Sequence, residues 1–186
     1  MIRDVTYNRF NTMMETRDFD PRHIFALLQS DDSMVAEAIE TALYGKHPHA
    51  WRSAWCLKHF LPEGNTALQQ QLGALLDRVE TASPDGYQRE LLKLISLCTL
   101  SDDLLGRLTD ICFSIWEQPR KQGSVRSEAY KTLVSIAAVY PELKPELVLI
   151  FDAYSDTFSH GIKHSLSRMR NQLEKEIKQN KTTELC

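Results

Sequence analysis

Basic residues recur in this chain at positions 52, 89, 126 and 163, so the interval is 37 each time. Each stands at the head of a similar stretch: Trp51-Arg52-Ser53-Ala54-Trp55, Gln88-Arg89-Glu90-Leu91-Leu92, Val125-Arg126-Ser127-Glu128-Ala129 and Ile162-Lys163-His164-Ser165-Leu166. Three positions after each basic residue comes an apolar one: Trp55, Leu92, Ala129 and Leu166. Self-similarity with a period of a few tens of residues constrains the fold strongly. One helix pair cannot bury its own apolar face, and stacking on the next pair supplies the missing surface.

Caps, breakers and periodicity place the helices between these marks. Asp20-Pro21 begins one, because Asp caps and Pro suits the first helical position. Ile24, Phe25, Leu27 and Leu28 then read as a short buried helix. Asp31 to Ser33 caps the next, which carries Val35, Ala38, Ile39, Ala42 and Leu43 and stops at Gly45. Pro48 opens the first repeat helix, with Trp51, Ala54, Trp55 and Leu61 expected inward. One helix is expected across Leu68, Leu72, Leu75, Leu76 and Val79. Ser83, Ser101 and Ser124 read as caps for the helices of Leu91, Leu108 and Leu133. Pro141 and Pro145 bracket a turn, and Ile162, Leu166, Met169, Leu173 and Ile177 form a last apolar seam. No stretch of useful length alternates with period two, so no sheet is expected. The connectors are short, which makes successive helices antiparallel neighbours.

Val125-Arg126-x-x-Ala129-x-x-x-Leu133 resembles the inner helix of a HEAT repeat, in which a Val-Arg pair is followed by Ala and Leu at these spacings. Ile162-Lys163 keeps the type, whereas Trp51 and Gln88 depart from Val. The resemblance to HEAT or armadillo-like solenoids covers residues 20–177. The chain is also similar to small bacterial helical-repeat proteins of uncharacterised activity, through Arg52-Ser53-Ala54-Trp55 and Ile111-Cys112-Phe113. The resemblance implies an all-α protein, a right-handed α-α superhelix (HEAT-like solenoid) of about ten antiparallel helices. The expected organisation is a single domain over 1–186, with a weakly helical lead-in at 1–19 and a frayed tail at 178–186.

The basic column suggests a binding surface. If its helices line the concave face, Arg52, Arg89, Arg126 and Lys163 form a positive stripe, with Trp51 beside it. Such a stripe meets an acidic segment of a protein, or phosphates. The competing reading is intramolecular, each cation bridging to an acid such as Glu90, Glu128, Asp85 or Glu117. Large aromatics at helical spacing belong more often to cores, which is the expectation for Trp55. A net charge of −3 argues against a nucleic-acid binder. HEAT-like alkylpurine DNA glycosylases are the alternative class, although their catalytic Asp and aromatic cluster have no match here residue by residue.

Signs of catalysis are missing. The chain lacks G-x-S-x-G, a P-loop and a Gly-rich dinucleotide turn. His160 and His164 have an i, i+4 spacing with no H-E-x-x-H context, so no metal and no cofactor is expected. Asp31-Asp32 and Asp102-Asp103 stand at helix starts, where the helix dipole accounts for them. Cys56, Cys98, Cys112 and Cys186 lack knuckle or C-x-x-C spacing and read as reduced. The first residues lack an apolar signal region, and no apolar run reaches membrane-span length. The expectation is a non-enzymatic, cytoplasmic helical-repeat scaffold that binds another macromolecule, most readily a protein. A homodimer contact through the Ile162–Ile177 seam is a further expectation.

Overall fold

A computed structural model describes residues 8–14 and 20–183. Among them every regular element is helical, and eleven α-helices follow one another in chain order. Their contacts group into two compact units, one ending at Leu100 and one beginning at Ser101.

The first unit holds α1 (Arg9–Met14), α2 (Pro21–Ser30), α3 (Asp32–Tyr44), α4 (His49–Phe60), α5 (Thr66–Gln69), α6 (Leu72–Thr81) and α7 (Asp85–Ile95). α4 is its centre, with α1, α2, α3 and α7 all packed against it. The sequence explains this. Ala50, Ser53, Ala54 and Leu57 give α4 a mostly small, buried face that lets α3 approach closely. Ser53 Oγ satisfies itself inside the core by donating to the Ala38 carbonyl at 2.6 Å. Asp20 and Asp31 cap as expected, accepting from the backbone N–H of Arg22 and Ser33. Gly45 ends α3 at an ordinary negative φ, so its need is space: a Cβ there would lie 2.5 Å from the Thr41 carbonyl oxygen.

Two expectations change in this unit. The single helix expected across Leu68 to Val79 is two, because Asn65 caps a separate α5 by accepting from Leu68 N–H. Gln69 at its end is then clamped to Thr99, donating to its carbonyl and accepting from its N–H at 2.8 and 2.9 Å. Ser83 makes no cap; α7 is preceded by Pro84 without a side-chain cap bond.

The second unit holds α8 (Asp102–Trp116), α9 (Gly123–Val139), α10 (Lys144–Tyr154) and α11 (His160–Thr183), with 3-10 turns at Pro141–Leu143 and Ser155–Thr157. α8 packs on α9, and α11 on both α9 and α10. Ser101 occupies the cap position of α8 but its hydroxyl makes no cap bond. α9 begins ahead of Ser124, at Gly123, where a Cβ would press to 2.9 Å from Ile162 Cδ1. Leu166 and Leu173 of the last seam are buried within this unit, while Ile162, Met169 and Ile177 are half-buried. α11 continues to Thr183, so the stretch expected to fray is helical over its described part. The lead-in expected at 1–19 is described only as α1 and the residues beside it; 1–7 and 15–19 lie outside the described residues, as do 184–186.

Candidate functional site

The four basic residues of the repeat sit in four different environments. Arg89 is half-buried on α7 and binds its own neighbour Glu90, with Nη2 at 2.8 Å from Oε1. Glu90 is fully buried and also takes Lys93 Nζ at 3.2 Å, so one shielded carboxylate holds two cations of its own helix. Lys163 pairs with the exposed Asp156 at 2.5 Å and holds that carboxyl below the usual carboxylate range.

Arg126 is a core residue, 1% exposed. Its Nε donates to the Trp116 carbonyl at 2.8 Å and its Nη1 to the Thr157 hydroxyl at 2.9 Å. Its Cζ lies 4.3 Å from the ring centroid of Phe158 and 5.4 Å from that of Trp116, with Tyr154 at 5.8 Å. Its Nη2 is shielded from solvent with no hydrogen-bond partner. The charge is met mainly by π faces, a use of aromatic quadrupoles that strengthens when water is excluded. Burial accordingly pulls its pKa down. Arg126 therefore drops out of any surface set: a group this buried reaches no partner while the unit is folded.

Arg52 lies on the half-buried face of α4 and donates from Nη1 to the Met14 carbonyl at 2.8 Å. Trp51 and Trp55, one helical turn apart, flank it. Trp51 stacks on His47 at 6.3 Å, and Trp55 meets His59 at 4.2 Å and Phe25 of α2 at 6.2 Å. Pro21, Trp51, Arg52 and Trp55 line a cavity of about 380 Å³. That lies at the lower end of the volumes of ordinary ligand pockets, roughly 300–1,000 Å³. Trp51 Nε1 is shielded from solvent without an acceptor, an arrangement that leaves about 1–3 kcal/mol of unmet hydrogen bonding.

The inward placement expected of three aromatic residues is corrected at this site, beginning with Trp51, which is half-buried. Trp55 is half-buried instead of core, because Ala54 and Leu57 already fill the inward side of α4. Phe25, expected inside with Ile24 and Leu28, is also half-buried and stacks on Trp55. The i, i+4 spacing of Ile24 and Leu28 was the available signal, since Phe25 falls off that line.

α9, the helix that carries Val125-Arg126-x-x-Ala129, packs against α8, α10 and α11 in the second unit. A family model described as a HEAT repeat domain matches residues 10–186. The chain belongs to the HEAT repeat family. No curated protein and no solved structure matches it.

Among the described residues, no group of three or more His, Cys, Asp or Glu side chains is placed to hold a metal ion. His164 Nε2 faces Arg168 Nη2 at 3.1 Å. Burial pushes the Cys56 thiol up to about 12 and raises those of Cys98 and Cys112, so all three are protonated at neutral pH. No helix among the described residues is long and apolar enough to cross a membrane.

Proposed function

We propose that this HEAT repeat chain is a non-enzymatic module that binds a protein partner through the half-buried face of α4. Trp51, Arg52 and Trp55 form the contact. The observation that carries the reading is the cavity these residues line with Pro21, combined with an indole N–H that lacks an acceptor. Interface anchors are enriched in Trp and Arg for physical reasons: large desolvated area, and donors that fix orientation. Arg52 is kept as a binding residue because it lines the cavity, while Arg89 and Lys163 are held in ion pairs with Glu90 and Asp156. That same arrangement offers no support for a phosphate track, because Arg126 lies in the core.

A partner segment of opposite charge to its docking face gains from steering, which raises association rates. Free cysteines at 56, 98 and 112 support a reducing compartment such as the cytosol. A homodimer through the last seam has less to work with, since Leu166 and Leu173 are covered inside the unit.

The test is cross-linking of the tagged full chain in host cells, comparing wild type with Arg52→Glu and with Arg120→Glu, an equal charge change at an exposed position. A partner held by wild type and Arg120→Glu but lost from Arg52→Glu, with a melting temperature near wild type, supports the reading. A partner retained by Arg52→Glu removes it.

A further inference from the structure

Arg126 is a buried cation without an anion. Arginine stays charged in proteins, yet the acceptors this one reaches are neutral: the Trp116 carbonyl and the Thr157 hydroxyl. Nη2, shielded from solvent, has no acceptor. The rings of Phe158, Trp116 and Tyr154 supply the remaining compensation. A charge already stripped of water gains strongly from any well-placed counter-ion, because its own desolvation is not incurred again. Thr157 offers the approach for one. It is exposed on the 3-10 turn Ser155–Thr157, and its oxygen lies 2.9 Å from Arg126 Nη1. Its hydroxyl donates to the Tyr154 carbonyl at 2.6 Å. One residue earlier, Asp156 holds Lys163, a second cation beside the same turn.

We propose that Thr157 is a phosphorylation site whose phosphate is held by Arg126. The donor is a nucleoside triphosphate bound to a protein kinase. The Thr157 oxygen forms a bond to the γ-phosphorus, and the bond from that phosphorus to the bridging oxygen breaks. The electron pair leaves with the nucleoside diphosphate, and the hydroxyl proton passes to a base of the kinase. The phosphoryl group adds three acceptor oxygens and about −1.5 to −2 of charge next to the guanidinium. Arginine and phosphate match as a two-pronged pair, so Nη1 keeps an acceptor and Nη2 gains one. The hydrogen bond to the Tyr154 carbonyl is lost with the proton. It is a neutral bond, and the charge-assisted ones that replace it are roughly twice as strong. Asp156 is the adjacent acid, and its pairing with Lys163 limits its repulsion of the phosphate. The modification fastens the turn and Phe158 onto the head of α9 and tightens the second unit. Thr157 and α4 belong to different units, so this phosphate and the α4 contact hold or fail separately.

The full chain is made with phosphothreonine encoded at position 157 and compared with the unmodified chain. Phosphorus NMR titration should place the second phosphate pKa about one pH unit below its ordinary value near 6, because the guanidinium favours the dianion. The melting temperature should rise by about 2–4 °C. Arg126→Met should abolish both effects. Should that variant not fold, Lys163→Met serves instead: it leaves Arg126 in place, and the lowered phosphate pKa should persist. Loss of the lowered pKa in Lys163→Met would make Lys163 the phosphate's partner and overturn the role of Arg126. A phosphate that titrates at its ordinary value, or a phosphorylated chain that melts lower, also overturns it. Phosphopeptide mass spectrometry of the chain recovered from growing and from starved host cells should find phosphate on Thr157. Finding none in either overturns its assignment as a modification site.

Discussion

The head of α4 and the head of α9 carry the same sequence device with opposite results. Each places a basic residue at the repeat position with aromatic side chains gathered around it. In the second unit Trp116, Tyr154 and Phe158 close over Arg126 and seal it from water. In the first, Trp51, Trp55 and Pro21 stand around Arg52 and leave a cavity. The closure depends on length and neighbours. α9 is followed by α10 and a 3-10 turn that delivers Thr157 and Phe158 back to the α9 head. Trp116 comes from the end of α8 and packs in tilted ring contacts, its centroid 4.7 Å from that of Tyr130 and 4.9 Å from that of Phe158. One repeat motif therefore serves as a core fastener in one unit and as a candidate recognition feature in the other.

That contrast can be broken most directly at Arg126. Arg126→Glu should destabilise the chain by about 3–5 kcal/mol, because it buries an anion among π faces that favour a cation. Arg126→Met should cost clearly less, since it removes the charge and the unpaired Nη2 together. Urea titration of both variants checks the order; equal losses would mean that the π faces contribute nothing specific to charge.

The tryptophans give the next largest difference. Trp116→Ala should cost about 3–5 kcal/mol, as for other fully buried aromatics. Trp55→Ala, at a half-buried wall, should cost about 1–2 kcal/mol while abolishing partner binding. Reversal of that order in thermal melts would move the candidate site away from α4.

A smaller effect is expected for the cysteines. Iodoacetamide at pH 8 should label half-buried Cys98 ahead of Cys56 and Cys112, both fully buried with raised pKa values. Mass spectrometry of peptides gives the sequence of labelling, and early labelling of Cys112 would show that the second unit opens locally.

The smallest concerns Asp156. Its folded pKa lies below the ordinary value because Lys163 donates to it. A lowered folded pKa contributes stability that is present above the ordinary carboxylate pKa and lost as pH falls through the folded one. Lys163→Ala should therefore return the Asp156 titration upward and flatten the acid limb of the second unit's stability. Carboxyl-carbon NMR titration reads this directly.

The helical class was legible from residues alone, because apolar positions at helical spacing leave little freedom once Asp20, Asp31 and Gly45 mark the ends. Helix boundaries with serine signals were less so. A Ser at a helix head has the chemistry to cap, yet at 83 and 101 no such bond forms, and at 124 the helix begins one residue earlier because Gly123 fits against Ile162. The site was legible in part. Arg52 was visible as a member of the column with Trp51 beside it, whereas Pro21 and Phe25 come from another helix, where only the i, i+4 line of Ile24 and Leu28 bears on Phe25.

By itself, the sequence determined that this chain is all-helical, repeats at 37 residues and places a cation at the head of each repeat helix. Periodicity and capping act over a few residues, so they can be read along a string. Only the tertiary structure decided which of those cations is buried in rings, which are tied to Glu90 and Asp156, and which one borders a cavity. Those outcomes depend on desolvation and on side chains such as Thr157 and Phe158, brought to Arg126 from some thirty residues away.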